Sequence, residues 1–301
     1  MIVINNKNVL VIGGAGFLGS HVADELTNKG YQVSIFDNKP SKFLQPSQSL
    51  IIGDILKKEE LVKACENKDF VFNFAGLSDI NEAIDEPEKA AQLNIIGNLN
   101  ALEASKINGI KRFVFASSIY VYSESGSFYR ATKQSAEKFT ELYWERYSLP
   151  FTILRYGSLY GRRADKRNAI FRMIYQALKE NSISYSGTGD EFREYIHAVD
   201  AAIMSVNILE DEKYSNKHLI LTGTQSYKIR DIMKMISEML PGRISLDFNN
   251  CDSNAHYTMT PYSYSSKVGK KIMINEFVDL GQGILDCIQE ISHLEGFSEN
   301  G

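Results

Sequence analysis

Cysteine is scarce in this 301-residue chain, and Cys65, Cys251 and Cys287 are scattered, odd in number and without the paired spacing of a zinc site. A disulfide framework is excluded, so the thiols read as core filler in a protein of the reducing cytoplasm. Surplus positive charge is also missing. The net charge of -4 argues against nucleic acid and against an anionic membrane surface, while leaving room for a local basic patch that holds a phosphate. No apolar run reaches the length of a membrane span, and no charged-then-apolar leader precedes the first strand. No repeat and no metal-ligand cluster is evident, which leaves small molecules as the expected partners.

The composition that remains is ordinary for an enzyme, with 44% hydrophobic and 23% charged residues. The length suits one large α/β domain with a smaller lobe. The most informative stretch runs from Asn8 to Val22. An apolar run, Val9 to Ile12, enters a turn with Gly13, Gly16 and Gly19 at every third position, and Phe17, Leu18, Val22 and Leu26 follow at helical spacing. Residues without Cβ let a backbone approach a pyrophosphate, and the free N–H groups of a helix start hold its charge. A second strand, Gln32 to Asp37, ends in a carboxylate where a dinucleotide-binding βαβ unit needs one for the ribose hydroxyls.

Further apolar strands are expected at Ser49 to Ile52, Phe70 to Phe74, Arg112 to Ala116, Pro150 to Leu154 and Lys217 to Gly223. Helices are expected near Lys57 to Glu66, over a long stretch from Pro87 to Ile107, and from about Tyr129. Strands alternating with helices imply parallel pairing and right-handed crossovers, hence a doubly wound Rossmann sheet. Past Gly157 the alternation breaks up, although Ala169 to Lys179 and Ala198 to Leu209 still read as helices. The expected division is a Rossmann domain at 1–156, rejoined by 195–223; a substrate-binding lobe at 157–194 and 224–292; and a tail at 293–301.

Tyr129 and Lys133 lie four apart and so share a helix face, which brings an ammonium beside a phenol. A nearby cation is expected to lower the phenol's pKa and make it a usable base. Ser118, at the end of the preceding strand, can orient the same substrate hydroxyl. The three groups suit removal of an alcohol proton while its hydride leaves for a nicotinamide.

These stretches together resemble the extended short-chain dehydrogenases/reductases, of the NAD-dependent nucleotide-sugar epimerase/dehydratase type. The most specific are Gly13-Gly-Ala-Gly-Phe-Leu-Gly19, Ser117-Ser-Ile-Tyr-Val-Tyr122, Tyr129-x-x-x-Lys133, Leu154-Arg-Tyr-Gly-Ser-Leu-Tyr-Gly161 and Gly187 to His197. The resemblance implies a cofactor site of Gly13, Gly16, Phe17, Leu18, Gly19, Asp37, Asn38, Asp54, Ile55, Phe74, Ala75, Gly76, Asn94, Ser117, Tyr129, Lys133 and Tyr156. It implies a substrate site of Ser118, Ser158 and Arg193, the last on the diphosphate of a nucleotide sugar. Arg193 could instead form a surface ion pair, and His197 reads as a hydrogen-bonded histidine between the lobes. A homodimer through Asn94 to Ile107 and Thr132 to Tyr147 is implied, although core packing explains Phe139, Leu142, Tyr143 and Trp144 equally well. Asp37 would repel a 2′-phosphate, which favours NAD over NADP.

The chain also departs from the family. Gly157 and Ser158 stand where Phe-Asn is usual, the link from Ser118 to Tyr129 is short, and a carboxyl-lobe arginine has no counterpart around Asn254 to Thr260. These departures suggest a more open sugar pocket. Ile119 and Tyr120 stand where dehydratases carry Asp-Glu, which argues against dehydration. What remains is 4-epimerisation, a 4-dehydrogenase that releases the keto sugar, or an NAD-sensing protein without catalysis.

Overall fold

Short apolar runs buried on both faces require a sheet covered by helices on both sides. The computed structural model describes residues 7–249, 258, 270–271 and 277–296. Its first half runs β1 (Asn8–Ile12), α1 (Phe17–Asn28), β2 (Gln32–Asp37), β3 (Ser49–Ile52), α2 (Lys58–Ala64), β4 (Phe70–Asn73), α3 (Ile80–Asp85), α4 (Pro87–Ala91), α5 (Gly97–Ile107), β5 (Arg112–Ser118), α6 (Ser127–Tyr147) and β6 (Phe151–Tyr156). There follow β7 (Ser158–Tyr160), α7 (Ala169–Glu180), β8 (Ser182–Ser186), β9 (Phe192–His197), α8 (Ala198–Asn207), β10 (Lys217–Leu221), β11 (Ser226–Lys228), α9 (Ile229–Met239), β12 (Ser245–Asn249), β13 (Lys270–Lys271) and α10 (Leu280–Leu294).

Seven strands pair in parallel in the order β10-β6-β5-β4-β1-β2-β3, with the two-residue β13 at the β10 edge. Val22 and Leu26 of α1 and Ala201 and Met204 of α8 close one face, while Leu61, Leu102 and Ala136 of α2, α5 and α6 close the other. The chain moves outward from β1 to β3 and then returns to place β4 on the other side of β1. Such a reversal opens a crevice at the carboxyl ends of β1 and β4, where ligands bind in sheets of this kind.

The smaller lobe packs α7, α9 and α10 around Ile174, Ile232, Ile236, Ile284 and Ile288, beside the three-stranded sheet β11-β9-β7 and the β12-β8 pair. Residues 195–197 thus pair within the small sheet, and the return to the main sheet begins at α8. Helix α10 continues through Leu294, two residues into the segment read as tail. Cys65 and Cys287 are buried, and Cys251 lies outside the described residues.

The helix expected without a break from Pro87 to Ile107 contains a π turn at Gln92–Ile96. The wider turn carries Asn94, whose amide donates to the Leu77 carbonyl and the Thr132 hydroxyl at 2.9 Å each. Its Oδ1 accepts the Leu77 N–H at 2.8 Å, so the turn fixes the loop after β4 against α6.

Beneath that loop, Arg155 of β6 grips Glu137 of α6 through Nε and Nη2, at 2.9 and 2.6 Å, and Ser117 donates to the same carboxylate at 2.6 Å. Removing one partner of a buried pair strands the other charge, at a cost of about 3–5 kcal/mol. Arg155→Met should therefore destabilise the protein by about that amount in a denaturant titration, and the double change Arg155→Met/Glu137→Leu by clearly less. Equal losses in the two variants would show that the pair is not the reason.

Candidate active site

The glycine turn is defined by contacts that no side chain could survive. Gly13 has φ +78°, and a Cβ there would sit 2.5 Å from the Ala75 nitrogen. A Cβ on Gly19 would stand 2.3 Å from the Gly13 carbonyl oxygen. Gly16 donates to that carbonyl at 3.1 Å and serves as N-cap of α1, where no side chain caps the first turn. The N–H donors of the helix start thus face the crevice. Asp37 is held on the same rim, its carboxylate accepting from Ala15 N at 3.0 Å and Lys39 N at 3.3 Å. This cradle and carboxylate fit a dinucleotide bearing ribose hydroxyls.

The cleft has a volume of about 560 Å³. Gly13, Gly16, Phe17, Leu18, Gly19, Asp37 and Asn38 form one wall, with Asp54 and Ile55 at its end. Phe74, Ala75 and Gly76 run beneath, and Ser117, Ser118, Tyr129, Lys133 and Tyr156 close the inner end. Three expected residues are not among those lining it. Asn94 is buried behind Gly76 and spends its amide on the loop, while Ser158 and Arg193 stand on β7 and β9 of the small sheet. Arg193 is only 6% exposed, so the surface ion-pair reading does not hold. The expectation about Asn254 to Thr260 falls on residues of which only Thr258 is described.

The inner end brings Ser118, Tyr129 and Lys133 together. Ser118 accepts from Tyr120 N at 3.3 Å, capping the single turn Ile119–Tyr122, and its side chain also hydrogen-bonds Tyr129. Lys133 donates to the Ala116 carbonyl at 2.9 Å, with its Nζ 5.9 Å from the centre of the Tyr129 ring. The expected lowering of the phenol is reversed. Burial pushes Tyr129 up to about 12, with only the Ser118 hydrogen bond drawing it down. Burial likewise pulls Lys133 down to about 8, against the opposing charge of Glu137. Sequence spacing gave the proximity of the pair but not its depth.

His197 also departs from expectation. It is 6% exposed and packs its ring against Tyr160, and neither ring nitrogen has a hydrogen-bond partner among the described residues. Burial lowers its pKa to about 4, which keeps the imidazole neutral.

Several cleft residues escaped the sequence reading: Leu77, Asp79, Leu159, Arg167 and Asn168. Asp79 and Asn168 were findable, since each caps a helix, accepting from Glu82 N at 2.9 Å and Phe171 N at 3.2 Å. Gly157 lines the cleft and is required there, because a Cβ would lie 2.8 Å from the Thr222 methyl and 3.0 Å from the Glu194 carbonyl oxygen.

A model of the NAD-dependent epimerase/dehydratase family matches residues 9–221. A protein of Methanocaldococcus jannaschii, provisionally named a UDP-glucose 4-epimerase, is 30% identical over 224 residues, 66% of this chain and 73% of the relative. A UDP-N-acetyl-α-D-glucosaminuronate decarboxylase of Bacillus cytotoxicus is 27% identical over 259 residues, 77% of this chain and 80% of the relative. Among solved structures, a UDP-N-acetylglucosamine 4-epimerase from Methanobrevibacter ruminantium, in complex with UDP-N-acetylmuramic acid, superposes with a TM-score of 0.84 at 25% identity. That match covers 96% of this chain and 99% of the other.

The carboxylate of Asp37 on the cleft rim disfavours a 2′-phosphate. Bringing a 2′-phosphate against a carboxylate costs on the order of 1–2 kcal/mol even in a solvent-rich cleft. A fluorescence titration should show NAD binding roughly tenfold or more tighter than NADP, with Asp37→Ser narrowing the gap. Tighter binding of NADP by the unaltered protein would overturn this.

Proposed function

The chain belongs to the NAD-dependent epimerase/dehydratase family, and on that premise we propose that it is an enzyme that oxidises the C4 hydroxyl of a UDP-sugar, as a 4-epimerase. The observation that carries the reading is the meeting of Ser118, Tyr129 and Lys133 at the inner end of the same cleft whose outer wall is the glycine cradle. The relative from M. jannaschii supports the reaction class, and the other relatives named above support the nucleotide.

NAD, when bound, supplies the hydride acceptor. The protein's own groups handle the proton and the orientation. Ser118 hydrogen-bonds the substrate hydroxyl and Tyr129 removes its proton. Lys133, one helical turn on, stabilises the phenolate. Re-reduction on the other face of the keto sugar needs no further acid or base. Ile119 is buried and Tyr120 lines the cleft, so neither position supplies the carboxylate that water loss would require. A homodimer is part of the proposal, through α5 and α6, where Ile107 and Leu142 are exposed while Phe139 and Tyr143 pack against the core.

Catalysis needs Tyr129 deprotonated and Lys133 protonated. The phenolate fraction grows with pH, but Lys133, with its pKa pulled down to about 8, is half deprotonated there. The kcat/KM should therefore rise from mildly acid pH and level off or fall above that point. Tyr129→Phe should lose turnover while still binding NAD; surviving activity would remove the assigned base and a protein without turnover would be a sensor. With UDP-glucose in deuterated water, a 4-epimerase yields the C4 epimer without deuterium on carbon, because the hydride returns directly. Net formation of NADH and keto sugar would instead assign the 4-dehydrogenase that Gly157 and Ser158 leave open.

A further inference from the structure

We propose that the segment from Arg162 to Arg172 is a strap across the mouth of the cleft that gates entry and exit of the dinucleotide, a role that follows from the dinucleotide cleft and holds for either sugar reaction. The crevice lies between the carboxyl ends of β1 and β4, so α1 and the β2–β3 loop flank it on one side and α3, after β4, on the other. The segment comes from neither side. It follows β7 of the small sheet and is nevertheless tied to both.

On the first side, Arg163 Nη2 pairs with Asp24 of α1 at 2.6 Å, and its guanidinium lies 4.5 Å from the centre of the Phe43 ring on the β2–β3 loop. His21 Nε2 of α1 is 3.0 Å from the Arg162 carbonyl oxygen. The other oxygen of Asp24 accepts from Gln48 at 3.2 Å, so the loop that brings Asn38 and Lys39 to the cofactor rim is pinned at both Phe43 and Gln48. On the far side, Arg172 of α7 stands 4.0 Å from Asp79, the N-cap of α3. Between these anchorages Asp165 and Arg167 line the cleft, paired with each other at 2.6 Å. Charge reaches them from both rims, from Lys39 onto Asp165 and from Asp79 and Glu82 onto Arg167.

The small lobe braces the segment from behind, where Glu290 of α10 accepts the Arg163 N–H at 2.8 Å. Arg163 itself has φ +69°, a conformation costly to a residue with a Cβ and kept only where surrounding contacts over-determine it. The ion pairs that reach across are partly exposed, and pairs of that kind are individually weak. Such a strap can close over a ligand and still open. A hydride that returns to the same sugar needs no exchange of cofactor, whereas a dehydrogenase must release NADH in every cycle, so slow exchange suits the 4-epimerase.

Stopped-flow fluorescence of the NADH-loaded protein chased with excess NAD reads the exit rate, and mixing NADH with protein freed of cofactor reads the entry rate. Arg163→Met should speed exit roughly tenfold or more, the range for losing a hydrogen-bonded charge, and should speed entry as well, because an open strap frees both directions. Phe43→Ala should act in the same direction by a smaller factor, and it serves where Arg163→Met fails to fold. Unchanged rates in every variant that folds overturn the proposal. Faster exit with unchanged entry overturns it too, since Arg163 would then support the bound cofactor without gating it.

Discussion

Everything in the cleft depends on how closely three backbone segments approach one another at the carboxyl ends of β1 and β4. Gly13 lies against the nitrogen of Ala75 on one side and its carbonyl against Gly19 on the other, at separations where any Cβ would collide. The start of α1 is thereby pressed onto the sheet edge, and its N–H groups open into the crevice made by the reversal of strand order. Had Gly13 or Gly19 a side chain, α1 would have to ride outward and the helix dipole would lose its aim.

Helix α6 carries Tyr129 and Lys133 to the cleft, and a buried polar lattice rather than apolar packing alone fixes its rotation. Asn94 ties Thr132 to the loop after β4, while Asn98 reaches the Ala136 carbonyl and accepts from Asn73 of β4. Glu137 is locked to Arg155 and Ser117. Thr132, Lys133, Ala136 and Glu137 fall on the inward face at spacings of one helical turn. A directional hydrogen bond resists rotation of a helix where methyl contacts would tolerate it. That is a physical reason for this much polarity beneath Tyr129 and Lys133. The same burial depresses the basicity of Lys133 and raises the pKa of Tyr129, so precision of placement and ease of ionisation oppose each other.

The dinucleotide half of the site was legible because backbone builds it. A close approach leaves glycines at fixed spacing, and a strand end leaves Asp37 at a fixed distance from them. Tyr129 and Lys133 were legible for a similar reason, since helical period alone makes them neighbours. Strands β8 and β12 were less so: Ser-Ile-Ser-Tyr-Ser and Ser-Leu-Asp-Phe-Asn both alternate strictly, but each is only five residues long and pairs with a segment distant in sequence. Asp165 and Arg167 could not be found either, because an ion pair two residues apart in a loop carries no period. The pKa of Tyr129 was misjudged in direction because spacing encodes which groups meet and says nothing of how deep they lie.

The two walls of the cleft therefore differ in kind. The inner and cofactor walls are set by elements whose geometry the main sheet over-determines, and a change there disturbs the fold with the function. The facing wall from Gly157 to Asn168 is the short strand β7 and the loop after it, and that loop is braced by side chains: Arg172 on two carbonyls, Asn168 on a third, and Arg163 on Asp24 at 2.6 Å. Such a wall can exchange one side chain for another without moving the main sheet, because its supports are side chains that are partly exposed. The cofactor wall is consequently fixed by backbone, whereas the facing wall, which includes Gly157 and Ser158, can vary in its side chains.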